Sequence, residues 1–241
     1  MSEWESPRRR PQPSVQELLK EFLLAGDYRP GDRLPTEAEL GAAIGVSRSA
    51  TREALRSLQA LGIVDIRQGH GMQLRDMSLD GLAEGLAFWT MLSERDGTQA
   101  IRSIAYVRDA LERSSISDVI GRHEPADIKQ MEDAVAEMAD RAAGGDYAPD
   151  ADRRFHRALF HPLGNWVFTY VLDAFWDVSI TITTARVERG GRFPRLTQNR
   201  PADIVANHRD ILDAVRRGDE DAARLAIQRH FDNAAAPEDK A

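Results

Sequence analysis

The sequence predicts a mainly α chain in two parts: a winged helix-turn-helix of three helices and a two-stranded wing, then an all-α bundle of about six to seven helices. Three observations predict it. Capping residues and glycine stops bracket three short amphipathic helices before residue 62, and two short apolar strands flank the tip QGHG. Beyond residue 76 the amphipathic segments carry helical period and strand signals stop. A length of 241 residues suits two compact units. The boundaries are expected at a disordered tail over 1–13, a first domain over 14–76 and a second over 77–236.

The first helix is SVQELLKEFLLAG, where Ser14 can cap, Val15, Leu18, Leu19, Phe22 and Leu23 share one face, and Gly26 ends it. YRPGDRLP reads as a turn. Thr36 and Glu39 have the spacing of a capping box for TEAELGAAIG, and Gly45 breaks that helix. Ser47 is placed to cap SRSATREALRSLQALG, with Ala54, Leu55, Leu58 and Leu61 expected inward and Gly62 at the stop. Strands are expected over 63–67 and 72–75. Seven helical segments follow, at 79–95, 98–120, 125–143, 150–160, 164–188, 201–217 and 219–234, separated by breakers such as HEP, GGDYAP and RRGD.

Composition narrows the chemistry. With no cysteine, a disulfide scaffold, a Cys-ligated zinc finger and a thiol nucleophile are all excluded. No apolar run is long enough to span a bilayer, and the first residues lack the apolar core of a signal peptide, so a cytoplasmic protein without membrane contact is expected. The net charge is -7, yet the first 76 residues carry equal numbers of basic and acidic side chains. The negative charge lies in the second part. Within 46–75, Arg48, Arg52, Arg56, Arg67 and Arg75 face only Glu53 and Asp65. Positive charge therefore gathers where it could meet phosphate.

A recognition helix enters the major groove with its N-terminal turn leading, and Arg48, Ser49 and Arg52 occupy that turn. Arginine can take guanine O6 and N7 together or clamp a phosphate. Gln68 and His70 in the glycine-bracketed tip are able to probe a groove. The stretch GDRLPTEAELGAAIGVSRSATREALRSLQALGIVDIRQGHG resembles the winged helix-turn-helix of the GntR family of bacterial transcription regulators. The resemblance implies a double-stranded DNA operator as partner, with Arg48, Ser49 and Arg52 as DNA contacts, Gly69 as a backbone contact at the wing and Arg33 as a phosphate contact. Two positions depart from the family pattern: Ala38 stands where a DNA-contacting arginine is common, and Thr51 where valine is.

In the second part, polar residues sit on apolar faces. Asp152 and His156 are four apart on one helix, His208 belongs to the stripe Ile204, Val205, Ile211, Leu212 and Val215, and His230 joins Ala223, Ala226 and Ile227. His208 and His230 are nearly equidistant from the turn at Gly218, so an antiparallel pairing sets them level. Imidazoles with a carboxylate and no thiolate suit a divalent ion such as Zn, Ni, Mn or Fe. His123 and His161 sit at breakers and are expected to be exposed. The region 79–234 is similar to the FCD effector domain of the FadR branch of GntR regulators. That resemblance carries the metal role onto Asp152, His156, His208 and His230. It also implies a small organic acid effector, with Arg108 in YVRDALE as an anion partner and Asn165 lining the pocket.

Together these readings predict a ligand-responsive regulator that binds a near-palindromic operator as a homodimer. The competing reading is a helical metalloenzyme, hydrolase-like, with an accessory DNA-binding head. A phosphohydrolase of the helical type usually shows an adjacent His-Asp pair, and no such dipeptide occurs in the chain. The sequence therefore points away from an enzyme.

Overall fold

The computed structural model describes residues 13–67, 71–93, 98–188 and 201–235. The chain divides into two compact units between Gly81 and Leu82. In the first unit the order is α1 (Val15–Ala25), β1 (Arg33–Leu34), α2 (Glu37–Ile44), α3 (Arg48–Ala60), β2 (Val64–Arg67) and β3 (Gly71–Leu74). Each helix starts where its cap dictates. Ser14 and Glu17 form a capping box on α1, Thr36 and Glu39 form one on α2, and the Ser47 hydroxyl accepts the Ala50 N–H at 3.3 Å on α3. Gly45 and Gly62 take the left-handed conformation that ends α2 and follows α3, at φ 73° and 71°.

The sheet has one more strand than the two expected. It is antiparallel in the order β1-β3-β2, with Leu34 opposite Met72 and Ile66 opposite the other side of Met72. The stretch expected as a turn holds β1 because Pro35 biases Leu34 to extended backbone, and burial of Leu34 pins it there. Leu19, Leu40, Leu55, Leu58 and Val64 close the core with Leu34 and Met72. Leu61 is a correction: it is 56% exposed, because α3 ends at Ala60 and Leu61 is the cap residue beyond the packed face.

The close approach of α2 to α3 depends on Gly41. A β-carbon there would stand 2.8 Å from Thr51 Oγ1 and 3.1 Å from the Val46 carbonyl. Thr51 is wholly buried, and its hydroxyl donates to the Ser47 carbonyl at 3.0 Å. This local bond explains how a threonine is tolerated on the inner face.

The second unit follows the expected all-α plan. Its helices are α4 (Asp80–Ser93), α5 (Thr98–Val119), α6 (Pro125–Ala143), α7 (Pro149–Phe160), α8 (Trp166–Glu188), α9 (Pro201–Arg217) and α10 (Glu220–Ala235), with a 3-10 turn at His161–Leu163. Proline opens α6, α7 and α9, where its missing N–H costs no helical bond. Helix α6 packs along α7 and α9, and α10 packs along α9 and α5. Ile116, Val119, Met131, Phe155, Leu159, Ile211 and Ile227 form a fully buried core between these helices. Among the described residues, no helix is long and apolar enough to cross a membrane.

Gly41→Ala should destabilise the first unit by about 1–3 kcal/mol, since the added methyl meets a buried hydroxyl and a backbone oxygen. Thermal unfolding of wild type and variant measures it. An unchanged midpoint would mean that α2 and α3 can separate freely.

Candidate functional site

Helix α7 places Asp152 and His156 one turn apart on its inner face, where Phe155 and Leu159 anchor it in the core. His208 comes from α9 and His230 from α10. All four residues are buried, and one ligand atom from each lies within 4.8 Å of the others. The ring centroids of His208 and His230 are 4.6 Å apart, so the two histidines do stand level across the α9–α10 turn. His156 lies 5.4 Å from His208 and 5.1 Å from His230 by the same measure.

The polar atoms on the inside of this cluster have no protein partner. Asp152 Oδ1, His156 Nε2 and His208 Nε2 are buried and make no hydrogen bond. Asp152 Oδ1 stands 3.2 Å from His156 Nε2 and 3.4 Å from His208 Nε2, near enough for attraction but not aligned to bond. Orphaned buried polar atoms are costly, and three of them facing one point are unusual in a folded core. Ligand atoms on one tetrahedral or octahedral ion with bonds of ~2.0–2.2 Å sit at about these separations. The residues therefore fit a small divalent cation.

The outward atoms of the same side chains are tied down. His156 Nδ1 donates to Glu112 Oε2 at 2.5 Å, and His208 Nδ1 donates to the Ile204 carbonyl at 2.8 Å. Both imidazoles therefore aim Nε2 at the cluster, as outer partners of metal-bound histidines commonly arrange. Tyr147 donates to Asp152 Oδ2 at 2.8 Å. Glu112 is itself fully buried and receives Arg108 Nε and Nη2 at 3.1 and 2.9 Å. The Arg108 guanidinium lies between Trp176 and Phe231, 4.8 and 5.1 Å from their ring centroids.

The charges follow from this packing. Burial opposes charge on His156, but the Glu112 carboxylate and the nearby Asp152 carboxylate outweigh it and raise the group to about 9. Burial would raise Asp152, yet the neighbouring His208 and His156 hold its carboxyl well below the usual range. Burial, and then the other two imidazoles, push His230 well below an ordinary histidine. His230 is thus a neutral donor, the form a metal takes.

On the first unit, α3 presents its arginines outward. Arg48, Ser49, Arg52 and Arg56 are exposed. Arg52 makes a forked bond to Glu37, with Nε and Nη2 at 3.1 and 2.9 Å from Oε2, and Arg48 Nε lies 3.6 Å from the same oxygen. Glu37 is the first residue of α2, so one carboxylate holds both arginines side by side. Arg56 pairs with Glu53 at 2.8 Å. Arg33 is exposed in β1 opposite Gln73, and Ala38 is exposed on α2. Gln68, Gly69 and His70 lie outside the described residues, as do residues 1–12 of the expected tail.

Comparison with known proteins identifies the two parts. Residues 11–74 match the bacterial regulatory proteins of the gntR family, and residues 103–233 match the FCD domain. The chain belongs to the GntR family and carries an FCD domain. The HTH-type transcriptional regulator LutR of Bacillus subtilis is 29% identical over 86% of this chain and 92% of its own length. The galactonate operon transcriptional repressor of Escherichia coli is 26% identical over 86% and 88%, and the putative L-lactate dehydrogenase operon regulatory protein of the same species is 26% identical over 92% and 84%. A Streptococcus agalactiae GntR structure aligns with TM-score 0.70 at 25% identity, covering 92% of this chain and 97% of that one. These relatives are regulators of transcription, so the metalloenzyme reading gives way.

The remaining site residues of this GntR–FCD regulator are placed as follows. Arg108 is buried and bonds Glu112, which in turn bonds His156 of the cluster. Asn165 is exposed at the start of α8, where its Oδ1 accepts the Phe168 N–H at 3.2 Å in the manner of a helix cap. His161 is exposed as expected and bonds Asp127, whereas His123 is half-buried with Nε2 against the Leu159 carbonyl at 2.8 Å. Sequence reasoning missed Glu112, Tyr147 and Glu37. Glu112 carried a signal, being four residues after Arg108 on one helix face; the other two act across a loop and between helices.

Glu112→Ala should destabilise the chelator-treated bundle by roughly 3–5 kcal/mol, because it leaves the buried Arg108 guanidinium without its carboxylate. Urea unfolding followed by circular dichroism measures the loss. A change below about 1 kcal/mol would place solvent, not Glu112, as the partner of Arg108.

Proposed function

We propose that this regulator binds a near-palindromic double-stranded DNA operator as a homodimer and responds to a small organic acid held at a metal-assisted site in its FCD domain. The observation that carries the reading is the buried Asp152, His156, His208 and His230 cluster, in which Asp152 Oδ1, His156 Nε2 and His208 Nε2 have no protein partner, in a chain whose other unit exposes Arg48 and Arg52 at the head of α3.

On the DNA side, the proposed contacts are Arg48, Ser49 and Arg52 in the major groove, Arg33 on phosphate, and Gln68, Gly69 and His70 at the wing. The first turn of α3 suits this because the Ser47 cap leaves further backbone N–H groups facing outward for an anion. Glu37 holds the Arg48 and Arg52 side chains together in the free protein. Operator symmetry would mirror the two-fold axis of the dimer.

On the effector side, Asp152, His156, His208 and His230 would hold a divalent ion such as Zn, Ni, Mn or Fe. When bound, that ion supplies a Lewis-acid centre for a carboxylate. Asp152 would contribute the one negative ligand, and the three imidazoles, which give up any proton on binding an ion, would leave the centre net positive, which favours an anionic effector. Arg108 and Asn165 are the proposed further polar groups for it. Two relatives carry operon names built on L-lactate and galactonate, which are carboxylates, and this supports the effector class. Effector binding changes DNA affinity only to the extent that it favours one conformation over another.

Two measurements test the reading. Duplexes selected from a random library by the full chain should share a two-fold symmetric core, and Arg48→Ala or Arg52→Ala should weaken binding to it by ~1–3 kcal/mol without altering the helical spectrum. Equal affinity in both variants refutes the groove assignment. His156→Ala should lose stoichiometric metal and the thermal shift given by small organic acids, a shift that chelator also removes in wild type. An organic-acid response equal to wild type would refute the role of the cluster.

A further inference from the structure

The four clustered side chains explain which atoms could meet a cation, but not why Asp152 offers only one of its two oxygens. An ionised carboxylate has about four lone-pair directions across two equivalent oxygens. Its terminal torsion is broad and roughly two-fold, so a helix fixes the position of Asp152 but leaves its carboxylate free to turn. Something else must hold it.

The GGDYAP loop between α6 and α7 supplies that hold. Tyr147 is half-buried, five residues before Asp152, and its hydroxyl donates to Oδ2 at 2.8 Å. Oδ1, the oxygen left over, is the one that stands 3.2 and 3.4 Å from the two unpartnered imidazole nitrogens. The same logic governs its neighbours, since Glu112 fixes His156 and the Ile204 carbonyl fixes His208. Three ligands are thus each tied by one atom and aimed by the other.

We infer that Tyr147 is a positioning residue for the proposed metal centre, occupying Asp152 Oδ2 so that this carboxylate can serve a cation through Oδ1 alone. The inference rests on the metal reading above. A single carboxylate oxygen with three imidazoles suits ions that take short bonds and few ligands, such as Zn2+. It disfavours Ca2+, which seeks six to eight oxygens and readily takes a carboxylate through both of them.

The test is a Zn2+ competition titration against a chromophoric chelator with the full-length chain, run on wild type, Tyr147→Phe, Asp152→Asn and the double variant. Wild type should bind one Zn2+ per chain, and Tyr147→Phe should bind it about 10- to 100-fold more weakly. In the Asp152→Asn background, which has no second carboxylate oxygen to restrain, the same substitution should change affinity by less than about threefold. Equal binding by wild type and Tyr147→Phe overturns the positioning role while leaving the metal centre standing. An equal loss in both backgrounds also overturns it, because the effect would then come from packing. Absence of Zn2+ binding by wild type overturns the metal reading, and this inference with it. A second measurement needs no variant: the infrared difference between Zn2+-loaded and metal-free wild type should show the wide carboxylate splitting of one-oxygen coordination. The narrow splitting of two-oxygen coordination overturns the inference.

Discussion

The arrangement of the helical bundle turns on a single electrostatic problem: three imidazoles and a carboxylate are packed inside an apolar core, and the inward atoms of Asp152, His156 and His208 have no protein partner. Hydrophobic burial brings α7, α9 and α10 together through Phe155, Ile211 and Ile227, and would do so with apolar residues at the four polar positions as well. Apolar residues there would give a tidier core. What makes the polar set tolerable is the set of outer partners, which satisfies the far sides of Asp152, His156 and His208 and leaves their near sides open. Arg108 completes that set by neutralising Glu112, and two aromatic faces hold that guanidinium away from water.

Much of this was legible in the sequence because the signals were local. Ser14, Thr36 and Ser47 announce helix starts within three residues of the atoms they bind, and Gly45 and Gly62 announce the stops. The Asp152–His156 pair follows from helical spacing, and the level placement of His208 and His230 follows from counting residues to one tight turn. In each case the chain between the residues is regular enough that distance along it converts to distance in space.

The parts that stayed hidden depend on contacts without such a ruler. Tyr147 reaches Asp152 from an irregular loop, and Glu37 reaches Arg52 from a different helix. The strand β1 was hidden by its own composition, since Pro and Gly around Leu34 mark a turn as readily as a two-residue strand whose pairing is set by a distant partner. Leu61 was misplaced because one residue of helix end decides whether an apolar side chain lies on the packed face or beyond it.

The shared carboxylate on α2 has a bearing on ionic strength. Glu37 already neutralises part of the charge on Arg48 and Arg52, so a phosphate approaching either arginine exchanges one anion for another and displaces few bound counter-ions. If a duplex is the partner, dissociation by added salt should be shallower than a count of arginines at the surface implies. The head would then lean on shape and base edges more than on bulk charge, which fits a regulator of net negative charge.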